Sequence, residues 1–215
     1  MLSLSFLSLF LNAQNFDAAV AEMAVEHEAE IIELRHWFHQ NAELSNREFK
    51  TAEKISETLL KIGLEPETGI AKTGVVAILK GGKPGPVVAL RADIDGLPVK
   101  ERADLPWKSN MIGEYNGEKV PVMHACGHDT HTAMLLGVAK ILHAIKEDIP
   151  GSIKFIFQPA EEGAPAGEEG GAELMVKEGV LKNPDVGAIF GLHIWSQFPA
   201  GNVYLRPKGI MAAVN

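Results

Sequence analysis

The chain has 215 residues, of which 46% are hydrophobic, 22% charged and 7% aromatic, with 21 Gly and 12 Pro. These are the proportions of a globular protein, and they exclude a disordered tail, a collagen-like repeat or a coiled coil. Twenty-eight acidic against 20 basic residues give a net charge of −8, and no Lys/Arg-rich run appears, so no nucleic-acid partner is expected.

The first eleven residues carry no charge and are too few to span a bilayer, which takes roughly 20. They fit the apolar region of a secretory signal peptide cleaved near Ala13-Gln14, although the usual basic residues before it are missing. The other reading is an apolar N-terminal helix lying on the core. Residues 1–14 are therefore set apart as a signal-peptide remnant. On that reading the protein is periplasmic or secreted, and otherwise it is cytoplasmic.

From Phe16 to Gln40 the sequence reads as helix, with Ile31, Leu34, Trp37 and Phe38 at helical spacing. A second helix is predicted from Glu48 to Lys61, stopped by Gly63. Val75–Leu79 and Val87–Leu90 read as strands separated by the turn Gly81–Pro86. Residues 99–120 are polar and irregular and read as a long surface loop. Thr130–Lys146 is a helix with Met134, Leu135, Val138, Ile141, Leu142 and Ile145 as one apolar stripe. Ile153–Phe157 is a strand, Glu173–Glu178 a short helix, Val186–His193 a buried strand and Asn202–Leu205 one more. Helices alternating with short apolar strands predict an α/β fold, a mixed, largely parallel sheet flanked by helices.

Three of these strands run into polar groups. Val87–Leu90 leads to Arg91-Ala-Asp93-Ile-Asp95, Ile153–Phe157 to Gln158-Pro-Ala-Glu161-Glu162, and Ala188–Leu192 to His193. In open α/β sheets the ligand crevice lies beyond the carboxyl ends of the strands, so these groups are candidates for convergence. A fourth segment, His124-Ala-Cys126-Gly-His128-Asp-Thr-His131, immediately precedes a helix. Cys126 and His128 are two residues apart, which in loop or extended backbone puts both side chains on one side. Thiolate, imidazole and carboxylate are the usual ligands of zinc and similar ions, and Cys126, His128, Glu162 and His193 supply all three. Two adjacent carboxylates repel unless a cation or proton relieves them, so one of the glutamates can bind metal and the other act as a base. Asp129 is placed to orient His128 or to cap the helix. Cys126, the single cysteine, has no intrachain disulfide partner.

Met123–Gly137 resembles the signature of the M20 metallopeptidase family, in its amidohydrolase branch. Arg91–Pro98, Phe157–Gly163 and Gly191–His193 are similar to that family's other motifs, in the same order. The resemblance runs from about Ile31 to the last residue, and makes 15–215 the N-terminal part of a zinc-exopeptidase-like catalytic domain. It implies Cys126, His128, Glu162 and His193 as ligands of two divalent ions, zinc or manganese foremost, with cobalt or nickel also accommodated. It implies Glu161 as the general base and Asp95 as support behind the ligands. The reaction it implies is hydrolysis of the amide bond of N-acyl amino acids or similar small amides, in a protein without a membrane span and homo-oligomeric at full length. Gly96 stands where Ala is commoner, Asn41 where Pro is frequent, and Ala164–Gly170 reads as an insertion near the site. The family's second, smaller domain, and a later segment with another metal-binding His, are expected after about the point where this sequence stops. The 215 residues alone are then expected to hydrolyse little. Two other readings are a thiol enzyme with Cys126 as nucleophile and His128 or His131 as base, and a non-catalytic metal-binding or assembly module.

Overall fold

The computed structural model describes residues 3–205, with side chains from Phe16 onward. The leader reading of residues 1–14 concerns side chains outside that range.

Helix α1 (Ser3–Gln40) contains neither Gly nor Pro, and its run of Ala, Glu, Leu and Met favours helix throughout. Phe38 is buried, and Ile31, Leu34 and Trp37 pack against the main core. Helix α2 (Phe49–Ile62) ends at Gly63 as its sequence predicts. The strands β1 (Pro66–Ile70), β2 (Gly74–Lys80) and β3 (Lys83–Asp93) follow, then β4 (Met111–Tyr115), β5 (Glu118–Val122), α3 (His128–Ala144), β6 (Pro150–Gln158), α4 (Gly171–Lys177) and β7 (Ala188–Gly191).

Five strands form one mixed sheet in the order β1-β2-β6-β3-β7. The pairs β1-β2 and β2-β6 are antiparallel, and β6-β3 and β3-β7 are parallel. Alternating residues divide between the two faces. Val75, Ala77, Leu79, Phe155 and Phe157 meet α1, α2 and α3 on one side, while Val76, Ala89 and Ile156 meet Met175 of α4 on the other.

Four expectations are corrected. Residues 99–120 are not a continuous loop: β4 and β5 pair as a separate hairpin turning at Asn116-Gly117. Both turn residues have positive φ, the conformation for which Asn-Gly is the usual choice. The strand expected over 186–193 is shorter and exposed, because β7 lies at the sheet edge. Residues 202–205 form no strand. Helix α3 does not show one apolar stripe. It lies between the sheet and α1 and is buried on nearly every side, Ala133, Leu136 and Ala139 included, whereas Val138 is exposed. Gly137 permits the close approach of α1, since a Cβ there would sit 2.9 Å from the Ile31 side chain. Strand β1 has little apolar content, so its sequence carries no strand signal.

Candidate metal centre

The site's position follows from strand register. In the parallel half of the sheet Asp93 pairs with Gln158, and Arg91 with Gly191. The segments leaving β3, β6 and β7 therefore emerge at the same edge and bring Asp95, Glu161, Glu162 and His193 together. The N-terminus of α3 delivers Cys126, His128 and His131 to the same place.

His128 is the centre of the arrangement and is fully buried. Its Nδ1–H donates to the Asp95 carbonyl oxygen at 2.9 Å, with Asp95 Oδ1 at 3.2 Å. That fixes the tautomer and leaves the Nε2 lone pair free. Among the described residues Nε2 has no hydrogen-bond partner, although Glu161 Oε2, Glu162 Oε1 and Asp93 Oδ1 lie 3.6, 3.7 and 3.7 Å away. A buried, unpartnered lone pair ringed by three carboxylates at longer than hydrogen-bond distance is the geometry of groups that share a cation.

Cys126, His128 and Glu162 each offer a ligand atom within 4.8 Å of the others. Ligands of one ion, each about 2.0–2.3 Å from it, span a comparable distance. Cys126 Sγ lies 3.4 Å from His193 Nε2, and His193 Nδ1–H donates to the Ile194 carbonyl at 2.6 Å. The free nitrogen of His193 therefore faces the thiol. The donor set of sulfur, two imidazoles and carboxylate fits zinc or a related divalent ion.

The electrostatics agree. Burial works against a charged His128, but Asp95, Asp93 and Glu162 outweigh it and push the imidazole up to about 9, so the carboxylates favour a positive charge at Nε2, which either a proton or a metal ion on its lone pair would supply. Burial, then the neighbouring Asp95 and Glu161, raises Glu162 above the usual carboxylate range. Burial, reinforced by Glu162, Glu161 and Asp93, pushes the Cys126 thiol up to about 12. The carboxylates thus raise His128 outright and add to the effect of burial on Cys126 and Glu162, although His128 itself draws Glu162 down, and a cation would relieve this crowding of negative charge.

Neither Asp93 nor His131 is among the expected metal ligands, and His131 enters the sequence-based expectations only as an alternative base of the thiol enzyme. With His128 and His193 they form a second group of closely spaced donors. Within it, however, His131 Nδ1–H already donates to Asp93 Oδ1 at 2.6 Å and His131 Nε2 accepts the Ile194 N–H at 2.9 Å. The pair thus ties α3 to the segment that carries His193. Its signal was the spacing of His128 and His131, three apart at a helix start, and of Asp93 and Asp95, alternate residues facing one way.

Asp129 neither orients His128 nor caps α3. Its carboxylate accepts from His39 Nδ1 at 3.0 Å and from Arg35 Nε at 3.3 Å, and His39 Nε2 lies 2.7 Å from Glu101. Asp95 has taken the His128 role because it leaves β3 directly behind that ring. The Asp129 bond, reinforced by Glu101, holds His39 above its ordinary value against burial. Burial opposes ionisation of Asp129 and Glu101, but the His39 bond prevails and both carboxyls are lowered. The imidazolium therefore contributes stability in full below pH 6.5, and this contribution is lost as pH rises through the raised value. The carboxylates contribute above about 4.5, and their contribution is lost at lower pH. Arg35 and His124 are the other titratable groups beside Asp129. Thermal melts from pH 6.5 to 9 are expected to show Tm falling more steeply in the wild type than in His39→Ala. Parallel curves would contradict a charged His39.

Comparison with known proteins places these motifs. A family profile described as "Peptidase family M20/M25/M40" matches residues 89–209. The chain belongs to that family. It is 48% identical over 183 residues to thermostable carboxypeptidase 2 of Saccharolobus solfataricus, an alignment covering 85% of this chain and 43% of the relative. It is 42% identical over 194 residues to the N-acyl-L-amino acid amidohydrolase of Geobacillus stearothermophilus, covering 90% and 49%. A crystal structure of a dinuclear metal binding peptidase of the M20 family from Bacillus subtilis superposes with a TM-score of 0.70 at 41% identity, over 80% of this chain and 44% of that one. The chain spans less than half the length of the curated relatives it matches. Among the described residues no helix is long and apolar enough to cross a membrane.

Proposed function

We propose that the protein is a metal-dependent amidohydrolase that cleaves the amide bond of N-acyl amino acids or similar small amides. The observation that carries this reading is the unpartnered His128 Nε2, buried and ringed by Glu161, Glu162 and Asp93. Cys126, His128, Glu162 and His193 would hold the metal, zinc or manganese foremost, in a dinuclear site like that of the Bacillus subtilis relative. When bound, such ions supply Lewis acidity and an acidified water.

The chain's own groups supply the rest. Asp95 holds the His128 ring so that its free nitrogen faces the site. Glu161, the more exposed of the paired glutamates, has a side chain 32% accessible and can reach a bound substrate. It takes a proton from water as the water oxygen bonds to the amide carbon. It then gives that proton to the departing nitrogen as the C–N bond breaks, leaving a carboxylic acid and an amino acid. The thiol-enzyme reading is disfavoured by Cys126 itself. A nucleophilic thiolate needs an electropositive setting, and here three carboxylates face it.

The test uses the whole protein with a panel of N-acyl amino acids. Chelation with EDTA is expected to abolish hydrolysis, and Zn²⁺ or Mn²⁺ to restore it, with bound metal quantified in parallel. Turnover that survives complete metal removal would favour the thiol mechanism instead.

A further inference from the structure

Between α1 and α2 the chain passes through Ser45-Asn46-Arg47-Glu48, a segment that supplies no metal-binding group. Three of its side chains nevertheless grip the loop that follows β6. Asn46 Nδ2 donates to the Glu169 carbonyl and to Glu168 Oε2, each at 3.0 Å. Arg47 Nη2 donates to Glu168 Oε1 at 2.6 Å. Glu48 Oε1 accepts the Ala160 N–H at 2.8 Å. The fourth residue, Ser45, donates to Asp95 Oδ2, the same oxygen that accepts the Glu162 N–H.

Glu48 is the unusual member. It is 0% exposed, and among the described residues no basic side chain is hydrogen-bonded to it. Its other oxygen accepts from Thr73 Oγ1 at 2.6 Å. A carboxyl group buried without a cation is costly, and burial pushes this one up to about 7. An apolar residue would fill the space at less cost unless the acceptor itself matters. What it accepts from is informative. Ala160 has φ +49°, in the left-handed region that a non-glycine residue rarely enters, and it directly precedes Glu161 and Glu162. A strained turn of this kind persists only where its surroundings hold it.

We propose that Glu48 is a positioning residue for the paired glutamates. By accepting the Ala160 N–H from inside the fold, it holds the turn that presents Glu161 and Glu162 to His128 and Cys126. The inference rests on the reading that Glu162 is a metal ligand, and goes beyond it by assigning the control of that ligand to a residue more than one hundred positions away.

The test measures Co²⁺ affinity by competition with a chromogenic chelator, together with the Co²⁺ absorption spectrum, which reports the geometry and the thiolate ligand. In Glu48→Gln the amide oxygen still accepts the Ala160 N–H and the amide nitrogen can face Thr73. Glu48→Leu fills the same volume but accepts nothing. By analogy with other residues that orient metal ligands, Glu48→Leu is expected to lose about 10–100-fold in affinity with a changed spectrum, while Glu48→Gln stays within about threefold of wild type. A folded Glu48→Leu with wild-type affinity and spectrum would overturn the proposal, as would a Glu48→Gln as impaired as Glu48→Leu. If Glu48→Leu does not fold, Glu48→Asp, which draws the acceptor back by one methylene, takes its place and is expected to show the same loss. Hydrogen exchange at the Ala160 amide is then a second criterion: slow exchange supports the bond, and exchange as fast as an open loop overturns it. A wild-type protein that binds no Co²⁺ would defeat the metal reading itself, a result distinct from any of these.

Discussion

Glu161→Gln is expected to lower kcat on an N-acyl amino acid by about 10²–10⁴-fold, the range for loss of a general acid–base group. That corresponds to roughly 3–5 kcal/mol of transition-state stabilisation. The amide keeps the size and polarity of the side chain but takes no proton from water. Metal content should hardly change, because the close donor group is Cys126, His128 and Glu162, without Glu161. Glu162→Gln is the contrasting variant: it weakens a donor in that group and should lose metal as well as turnover. The pair of variants separates three readings. A non-catalytic metal-binding module shows no turnover to lose. A thiol enzyme keeps its turnover in both variants and loses it in Cys126→Ala. Only the proposed hydrolase loses turnover in Glu161→Gln with the metal still bound.

Asp95→Ala is expected to damage both stability and metal binding. The Asp95 carboxylate is 1% exposed and serves three neighbours. Oδ2 accepts from Ser45 Oγ at 2.7 Å and from the Glu162 N–H at 3.0 Å, and Oδ1 lies 3.2 Å from His128 Nδ1. Burial opposes its charge, but the bonds from His128 and Ser45 and the His128 charge hold the carboxyl below its ordinary value. Removing it strands buried donors, and breaking a buried charge pair typically costs about 3–5 kcal/mol. At about 2–4 °C per kcal/mol for a chain of this size, Tm should fall by roughly 6–20 °C. Because both His128 and the Glu162 backbone lean on this one group, metal affinity should fall about 10–100-fold as well. Calorimetry and metal competition measure the two effects separately. A normal affinity in the folded variant would show that the Asp95 backbone carbonyl alone orients His128.

These effects fall unequally on what the sequence discloses. Cys126, His128, Glu161 and Glu162 stand out in a linear reading because each lies in a dense polar motif next to an apolar run, and His193 because it is the polar residue that closes an apolar strand. Asp95 stands out by its place in such a motif. Glu48 does not. It lies at the start of a helix among other polar residues, and on sequence grounds it is a surface carboxylate. Only folding shows it to be fully buried against Ala160. His39 is a similar case: it lies on a helix with nothing around it in sequence to mark it, and its partners Asp129 and Glu101 lie 90 and 62 residues away.

Periodicity was sufficient for α2 and for the apolar centres of β2, β3 and β6, because the pattern that forms each of these elements also buries it. It failed where burial depends on neighbours. Helix α3 is enclosed on nearly all sides, and β7 is an exposed edge despite its apolar sequence. The hairpin β4-β5 was missed although Asn116-Gly117 marks its turn. The amino-acid sequence by itself determined the chemistry available to this protein: one thiol, histidines and paired carboxylates placed just beyond strands and before a helix. The tertiary structure alone decided which of these groups meet. Convergence depends on the register of β3 against β6 and β7, and on buried acceptors distant in sequence, and spacing within a single element carries information about neither.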